Sequence, residues 1–294
     1  MERDGNGWVE CAQGHTHWGV FGAAGLMLHA VDDAGVVRVL LQHRAAWSHH
    51  GDTWGLPGGA RDSHEDVASA AVREAVEEAA LDPALVRTRH FFVDDHGGWA
   101  YTTVRADTPV PMVTTANRES VALEWVPIDE VPGRRLHPGF AATWPRVRAH
   151  PTVLVVDTAN VVGSRPDGWW RDRAGATTRL LALLESLRGA VVIGPDGATL
   201  VVSGVVAVLE GAATAAVAPA WVRTAHAPRG GAASGDDVVV ATAARLVEQG
   251  AGVLVVTADR GLRGRLELIH GPGARARQAV GPGWLLAEID DIQD

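Results

Sequence analysis

Two apolar runs open the chain, residues 18–30 (WGVFGAAGLMLHA) and 36–42 (VVRVLLQ), parted by the turn-forming Asp32-Asp33-Ala34-Gly35. They read as the two strands of a hairpin. A loop rich in His, Asp, Trp and Gly follows and ends at Leu56-Pro57-Gly58-Gly59. Alanines and valines then fill the chain to Ala80, which predicts a helix from about Glu65 to Leu81, with Ser63 and Asp66 in capping-box spacing at its start. Shorter strands are expected at residues 89–93, 100–105 and 123–126. This mixture predicts an α+β or α/β domain over residues 1–149.

The pattern changes after His150-Pro151, in a polar, proline-bearing stretch that marks a boundary. Strands are expected at residues 153–156, 199–202 and 253–257, and helices at 175–187, 234–249 and 261–266. Apolar strands alternating with helices predict an α/β domain over residues 150–294, with a parallel sheet covered on both faces.

Composition narrows the setting. No run of about 18 uncharged apolar residues occurs, so no membrane span is expected. The start, MERDGNGWVECAQGHTHW, lacks the basic and apolar segments of a secretory signal. The single cysteine, Cys11, has no internal disulfide partner, and a cytoplasmic protein is expected. The net charge of −9 sits mostly in the first 149 residues, which argues against nonspecific duplex binding.

The charge pattern of the first helix carries the chemistry. Glu74, Glu77 and Glu78 are spaced i, i+3, i+4 and share one face, with only Arg73 close by. Such crowding suits either a solvated acidic helix end or a hard divalent cation, Mg2+ or Mn2+, on carboxylate oxygens. The wider register chooses between them. Gly59, Glu65, Arg73, Glu74, Ala75, Glu77, Glu78 and Leu81, approached through Trp54-Gly-Leu-Pro-Gly-Gly59, resemble the Nudix box. One position departs: Ala80 stands where that family has glycine, which costs about 1 kcal/mol in a left-handed turn or forces another helix exit.

The resemblance implies an α/β/α sandwich with a mixed sheet and a metal-dependent pyrophosphohydrolase acting on a nucleoside diphosphate linked to another moiety. It implies that Glu74, Glu77, Glu78 and the Gly58 carbonyl bind metal and that Arg73 orients them, with Glu65 as its partner. Glu77 or a loop glutamate would be the general base; Glu119 is preferred to Glu124, which should alternate within a strand, and plain surface residues are the alternative for both. Arg44, at a strand end, is a candidate phosphate contact or a surface arginine. Trp47 and Trp54 are candidates for stacking on a base or for core packing. His49, His50 and His64 lack paired ligand spacing and read as solvated loop residues. ADP-ribose, oxidised dNTPs and dinucleoside polyphosphates all stay open as substrates. A nucleotide-sensing regulatory domain attached to an RNA-binding or ribonuclease domain is the alternative function.

In the second half Asp157 and Asp259 end apolar strands, and Asp236 and Asp237 open a helix. Taken singly, each suits a strand end, a cap or a turn. Taken together with Asn160 they resemble PIN-like and NYN ribonuclease domains, which implies a second Mg2+ or Mn2+ site at Asp157, Asp236 or Asp237, and Asp259. Glu210 and Asp172 are weaker candidates for a fourth acid. Single-stranded RNA is the implied partner, with Trp169-Trp170-Arg171 as a stacking surface or as core cover.

Overall fold

A computed structural model describes residues 3–166, 168–228, 234–270 and 278–293. The chain divides into two compact units, Met1–Ala149 and His150–Asp294.

The first unit begins with a small antiparallel hairpin, β1 (Trp8–Glu10) and β2 (Thr16–Trp18). The expected first strand therefore breaks at Gly19 and Gly22, both at positive φ, and β3 starts only at Ala23. The main sheet comprises β3 (Ala23–Val31), β4 (Val37–Arg44), β5 (Trp54–Gly55), β6 (Gly58–Ala60), β7 (Arg87–Asp95), β8 (Ala100–Asp107) and β9 (Ser120–Pro127). Its order is β5-β4-β3-β8-β7, with β6 added to β3 and β9 to β4. The sheet is mixed: β3 runs parallel to β8 and antiparallel to β4 and β6.

Alternation along the strands assigns the layers. Ala24, Leu26 and Leu28 of β3, with Val104 and Ala106 of β8, bury against Ala70, Ala71, Ala75 and Ala79 of α1 (Val67–Ala79). The small alanine face lets the helix axis lie close on the sheet. Arg105 points the other way and donates to the carbonyls of Arg146 and Val147 at the end of α2 (Pro138–Val147). Helix α2 is a departure from expectation, because Pro138 and Pro145 disguise it. Pro138 occupies the first helical turn, where a missing N–H costs nothing.

The second unit holds β10 (His150–Asp157), α3 (Thr158–Gly163), α4 (Arg173–Leu184), β11 (Val191–Ile193), β12 (Thr199–Leu209), β13 (Val222–His226), α5 (Gly235–Glu248), β14 (Gly252–Val256), α6 (Arg260–Leu266), β15 (Gln278–Val280) and α7 (Pro282–Gln293). The polar boundary stretch is no extended linker: α2 ends at Val147 and β10 begins at His150. Pro151 is tolerated in this inner strand because the ladder to β14 starts only at Thr152. Strand order is β11-β12-β10-β14-β15, with β13 beside the far half of β12, and among the described residues only the β11–β12 pair is antiparallel.

Leu154 and Val156 face a core built with α3, α4 and α7, whereas Val153 and Val155 face α5 and α6. Both faces of the sheet are thus covered, as near-continuous apolar strands require. Among the described residues no helix is long and apolar enough to cross a membrane.

Candidate active site

Strand β6 and helix α1 frame the glutamates. The helix starts at Asp66, whose side chain accepts the Ser69 N–H at 2.8 Å. Ser63 is not its cap; it donates its N–H and Oγ–H to Asp4 instead, at 2.9 and 2.5 Å. At the other end Ala80 keeps the left-handed turn (φ 55°, ψ 38°) and bonds back to the Val76 carbonyl. The exit is therefore the glycine-type one, made by an alanine.

Arg73 organises the acids. It binds Glu65 through two bonds, Nε to Oε1 at 2.6 Å and Nη2 to Oε2 at 2.9 Å. The same guanidinium reaches Glu74 Oε1 at 2.6 Å and the Ala60 carbonyl at 3.0 Å. The Arg73 bond holds the Glu65 carboxyl below its usual range and raises Arg73 itself. Burial pushes Glu74 up, with Arg73 opposing. A Cβ on Gly59 would lie 2.8 Å from the Glu74 carboxyl carbon, so glycine there is what admits the side chain.

Glu78 is the most deeply set of the three, only 5% exposed. Burial raises it to about 7, against the opposing Gly58 N–H, Gln42 and Arg44. Gly58 donates to Glu78 Oε2 at 2.8 Å. Glu77 is more exposed and forms an ion pair with Arg3. Gln42 and Arg3 are partners that the sequence did not single out, since their places depend on the sheet and on the path of the N-terminus.

Arg44 ends β4 with its Nε buried and without a hydrogen-bond partner, while Nη2 donates to the His49 carbonyl at 3.3 Å. Asn117 spans the end of α1, donating its N–H to the Glu78 carbonyl and its Nδ2–H to the Glu77 carbonyl. It also accepts the Glu119 N–H at 2.9 Å, which ties the loop bearing Glu119 to the glutamate end of the helix. Glu124 pairs with Arg134 at 2.7 Å. The two tryptophans separate cleanly. Trp54 is a correction: it is 8% exposed, stacked on His43 with centroids 4.7 Å apart, and covered by the Arg134 guanidinium at 4.8 Å. No face remains for a base. Trp47 is 69% exposed.

In the second unit Asp157, Asn160, Glu210, Asp236 and Asp259 line one cavity of about 260 Å3. Asp157 accepts from Thr257 Oγ1 at 2.9 Å and from the Asn160 N–H at 3.1 Å. Burial, and then the charges of Asp236 and Glu210, hold its carboxyl above the usual range. Asp259 caps α6, accepting the Leu262 N–H at 2.8 Å. Asp237 is a correction: it closes the capping box with Ser234 and pairs with Arg265 at 2.6 Å, away from this cavity. Asp172 caps α4 and is spent on the Gly175 N–H. Trp169 packs on the core, and Trp170 is exposed.

A mixed sheet and a glycine strand thus carry a braced glutamate helix in the first unit. The NUDIX domain family matches residues 22–146. A Mycobacterium tuberculosis protein assigned the name 8-oxo-dGTP diphosphatase 3 is 50% identical over 157 residues, covering 51% of this chain and 72% of that protein. A nucleoside triphosphate pyrophosphatase/Nudix hydrolase fusion protein of Bifidobacterium longum is 43% identical over 154 residues, covering 51% of this chain and 32% of that one. Among solved structures, the Nudix hydrolase RenU of M. smegmatis is 51% identical with a TM-score of 0.48, covering 49% of this chain and 93% of that one. The chain belongs to the Nudix family, and its first half is a pyrophosphohydrolase domain.

Proposed function

We propose that residues 1–149 hydrolyse a nucleoside diphosphate linked to another moiety, using Mg2+ or Mn2+ on Glu74, Glu77, Glu78 and the Gly58 carbonyl. The observation that carries this reading is the braced carboxylate face of α1. Three glutamates stand on that face at i, i+3 and i+4, and burial of Glu74 and Glu78 already disfavours their separate charges. That donor set fits a hard cation. Such an ion would supply neutralising charge for the diphosphate and would lower the pKa of an attacking water.

The chain's own residues do the rest. Arg73 keeps Glu74 in place, and Glu77, the more exposed acid, exchanges its Arg3 ion pair for the reacting water. Arg44, at the end of β4, supplies a guanidinium charge for a phosphate oxygen. Glu77 or Glu119 accepts the water proton. Trp47, exposed beside this loop, offers a stacking face to the base. The name of the M. tuberculosis relative makes an oxidised purine dNTP the first substrate to test. Turnover of 8-oxo-dGTP, dGTP, ADP-ribose and a dinucleoside polyphosphate with Mg2+ checks the reading. Tight nucleotide binding without turnover would favour a sensor instead.

The acid-lined cavity favours a second reading for residues 150–294: a PIN-like or NYN-type ribonuclease domain with its own Mg2+ or Mn2+ site on Asp157, Asp236, Asp259 and Glu210. No basic side chain lines that cavity among the described residues, so the carboxylates there lack any internal counter-charge. Cleavage of single-stranded RNA with Mn2+, absent in Asp157→Asn, tests it.

A further inference from the structure

Cys11, His15, His17 and His96 bring one donor atom each to a single spot in the first unit, all within 4.8 Å of one another. None of them belongs to the glutamate centre. Cys11 follows β1, His17 lies in β2, and His96 sits in the turn between β7 and β8. A tight turn folds the first three together: Gly14 at φ 76° donates to the Cys11 carbonyl, and the Cys11 N–H donates to the His15 carbonyl. The distant turn is joined to it by the Ala12 N–H, which donates to the Gly97 carbonyl at 2.8 Å.

Packing holds the donors in place. The His17 ring stacks on Trp99, with centroids 3.9 Å apart and planes 7° from parallel. Trp99 is fixed in turn by its Nε1–H on the Gly19 carbonyl. The His96 ring stands edge-on to His17 at 4.7 Å, and its Nε2 lies 3.3 Å from Asp94 Oδ2. A carboxylate on one ring nitrogen is the usual means of orienting the other toward a metal. That other nitrogen, His96 Nδ1, is buried without a hydrogen-bond partner, and so is His17 Nε2. Cys11 is buried as well.

Two unsatisfied imidazole nitrogens beside a buried thiol are a costly arrangement for a hairpin of six paired residues. A shared cation removes that cost. One sulfur and three nitrogens are the donors of a borderline-soft ion, not of the hard ion that suits the glutamates. Four protein ligands also close a tetrahedral shell, which is the pattern of a structural site.

We propose that Cys11, His15, His17 and His96 bind a structural Zn2+ that staples the N-terminal hairpin to the β7–β8 turn. The thiol releases its proton to solvent when it binds. The staple also reaches the glutamate helix indirectly. The segment leading into the hairpin contacts the helix through Arg3 on Glu77, and the loop before it through Asp4 on Ser63 and the Gly5 N–H on Asp62. The neighbouring trio His49, His50 and His137 is a poorer site, since His49 and His50 are exposed and His137 Nδ1 accepts the Gly139 N–H at the start of α2.

Cobalt is the probe, because only a thiolate ligand gives a sulfur-to-metal charge-transfer band, and the chain holds one cysteine. The full chain, stripped with chelator and titrated with Co2+, should show that band and tetrahedral d–d absorption, saturating at one equivalent and displaced by Zn2+. Cys11→Ser should lose the charge-transfer band, His96→Ala should weaken cobalt binding at least tenfold, and His50→Ala should leave both unchanged. Zinc should raise the melting temperature of the wild type and not that of Cys11→Ser. Wild-type protein that gives no charge-transfer band overturns the proposal without recourse to any variant. So does a spectrum that survives His96→Ala and disappears in His50→Ala.

Discussion

Arg73 sets a fixed guanidinium among the glutamates of α1, whereas the acids at the carboxyl edge of the second sheet are restrained by neutral donors. Glu65 and Glu74 both lean on Arg73. Asp157 leans on Thr257 and the Asn160 N–H, and Asp259 on the first turn of α6. The difference teaches what each cluster asks of a ligand. A permanent counter-charge leaves the first site organised without any cation, so on the proposed reading metal there would serve the reaction more than the fold. The second cluster is restrained by these neutral donors but has no basic side chain in its lining among the described residues, so on the proposed reading its fold stability should answer to metal more directly.

The largest effect expected from this contrast is on turnover. Glu77→Gln and Glu78→Gln should each lower nucleotide hydrolysis by orders of magnitude while α1 stays intact, since glutamine is a good helix former. Steady-state rates with Mg2+, alongside circular dichroism, check this. Wild-type rates in both variants, or turnover in excess chelator, would remove the helix from the chemistry.

The next effect is on stability, and its sign is opposite. Glu78 titrates near 7 in the fold against 4.5 as its ordinary value. Its raised pKa favours the folded state fully below about 4.5, and that contribution is lost as pH rises through about 7. In chelator, Glu78→Gln should therefore match the wild type near pH 4.5 and exceed it at pH 8, by up to about 3 kcal/mol. Urea denaturation at the two pH values measures it. A variant that is less stable at both would mean that Glu78 is not held at the cost of its desolvation.

How much of this contrast was legible before the fold was known depends on distance along the chain. The glutamate register was readable because its parts lie on one helix and its loop, where spacing alone fixes direction. Arg44 and Asp157 were readable as strand ends. Asp236 and Asp237 were not separable, since neighbours on a helix point about 100° apart and spacing alone does not say which faces the sheet edge. The signal was present all the same: Ser234 stands three residues before Asp237, the spacing of a capping box. The same rule misled at Ser63, because Asp4, from the far end of the domain, took that hydroxyl. Trp54 and the partners of Cys11 were hidden for a like reason: His43, Arg134 and His96 reach them only through tertiary folding.

Manganese should sharpen the comparison within one molecule. We expect calorimetry of the full chain to give two transitions, one for each unit. Mn2+ at about 100 times its dissociation constant should raise the C-terminal transition by about 2.7 kcal/mol of stabilisation. Asp157→Asn should cancel that gain and leave the N-terminal transition where it was. A single transition that Asp157→Asn and Glu78→Gln shift alike would show that the two clusters are not energetically separate.

The smallest effect comes from the one residue that departs from the family pattern in the first site. Ala80 carries φ 55° at the end of α1, where a Cβ crowds the following carbonyl. Its N–H still bonds to the Val76 carbonyl, and Asn117 and Thr115 hold the neighbouring carbonyls of Glu78 and Ala79. The surrounding loop therefore imposes the left-handed turn on an alanine that would not choose it. Ala80→Gly relieves that strain but frees the unfolded chain, so the net gain should be about 0.5–1 kcal/mol. Hydrolysis should be unchanged, because the carboxylates stay where Arg73 and Gly58 hold them. The measurement is a chemical denaturation midpoint beside kcat/KM. If Ala80→Gly leaves stability unchanged and alters the rate, the left-handed exit is tuning the position of Glu77 and Glu78, and the first site is less fully preset by Arg73 than its hydrogen bonds imply.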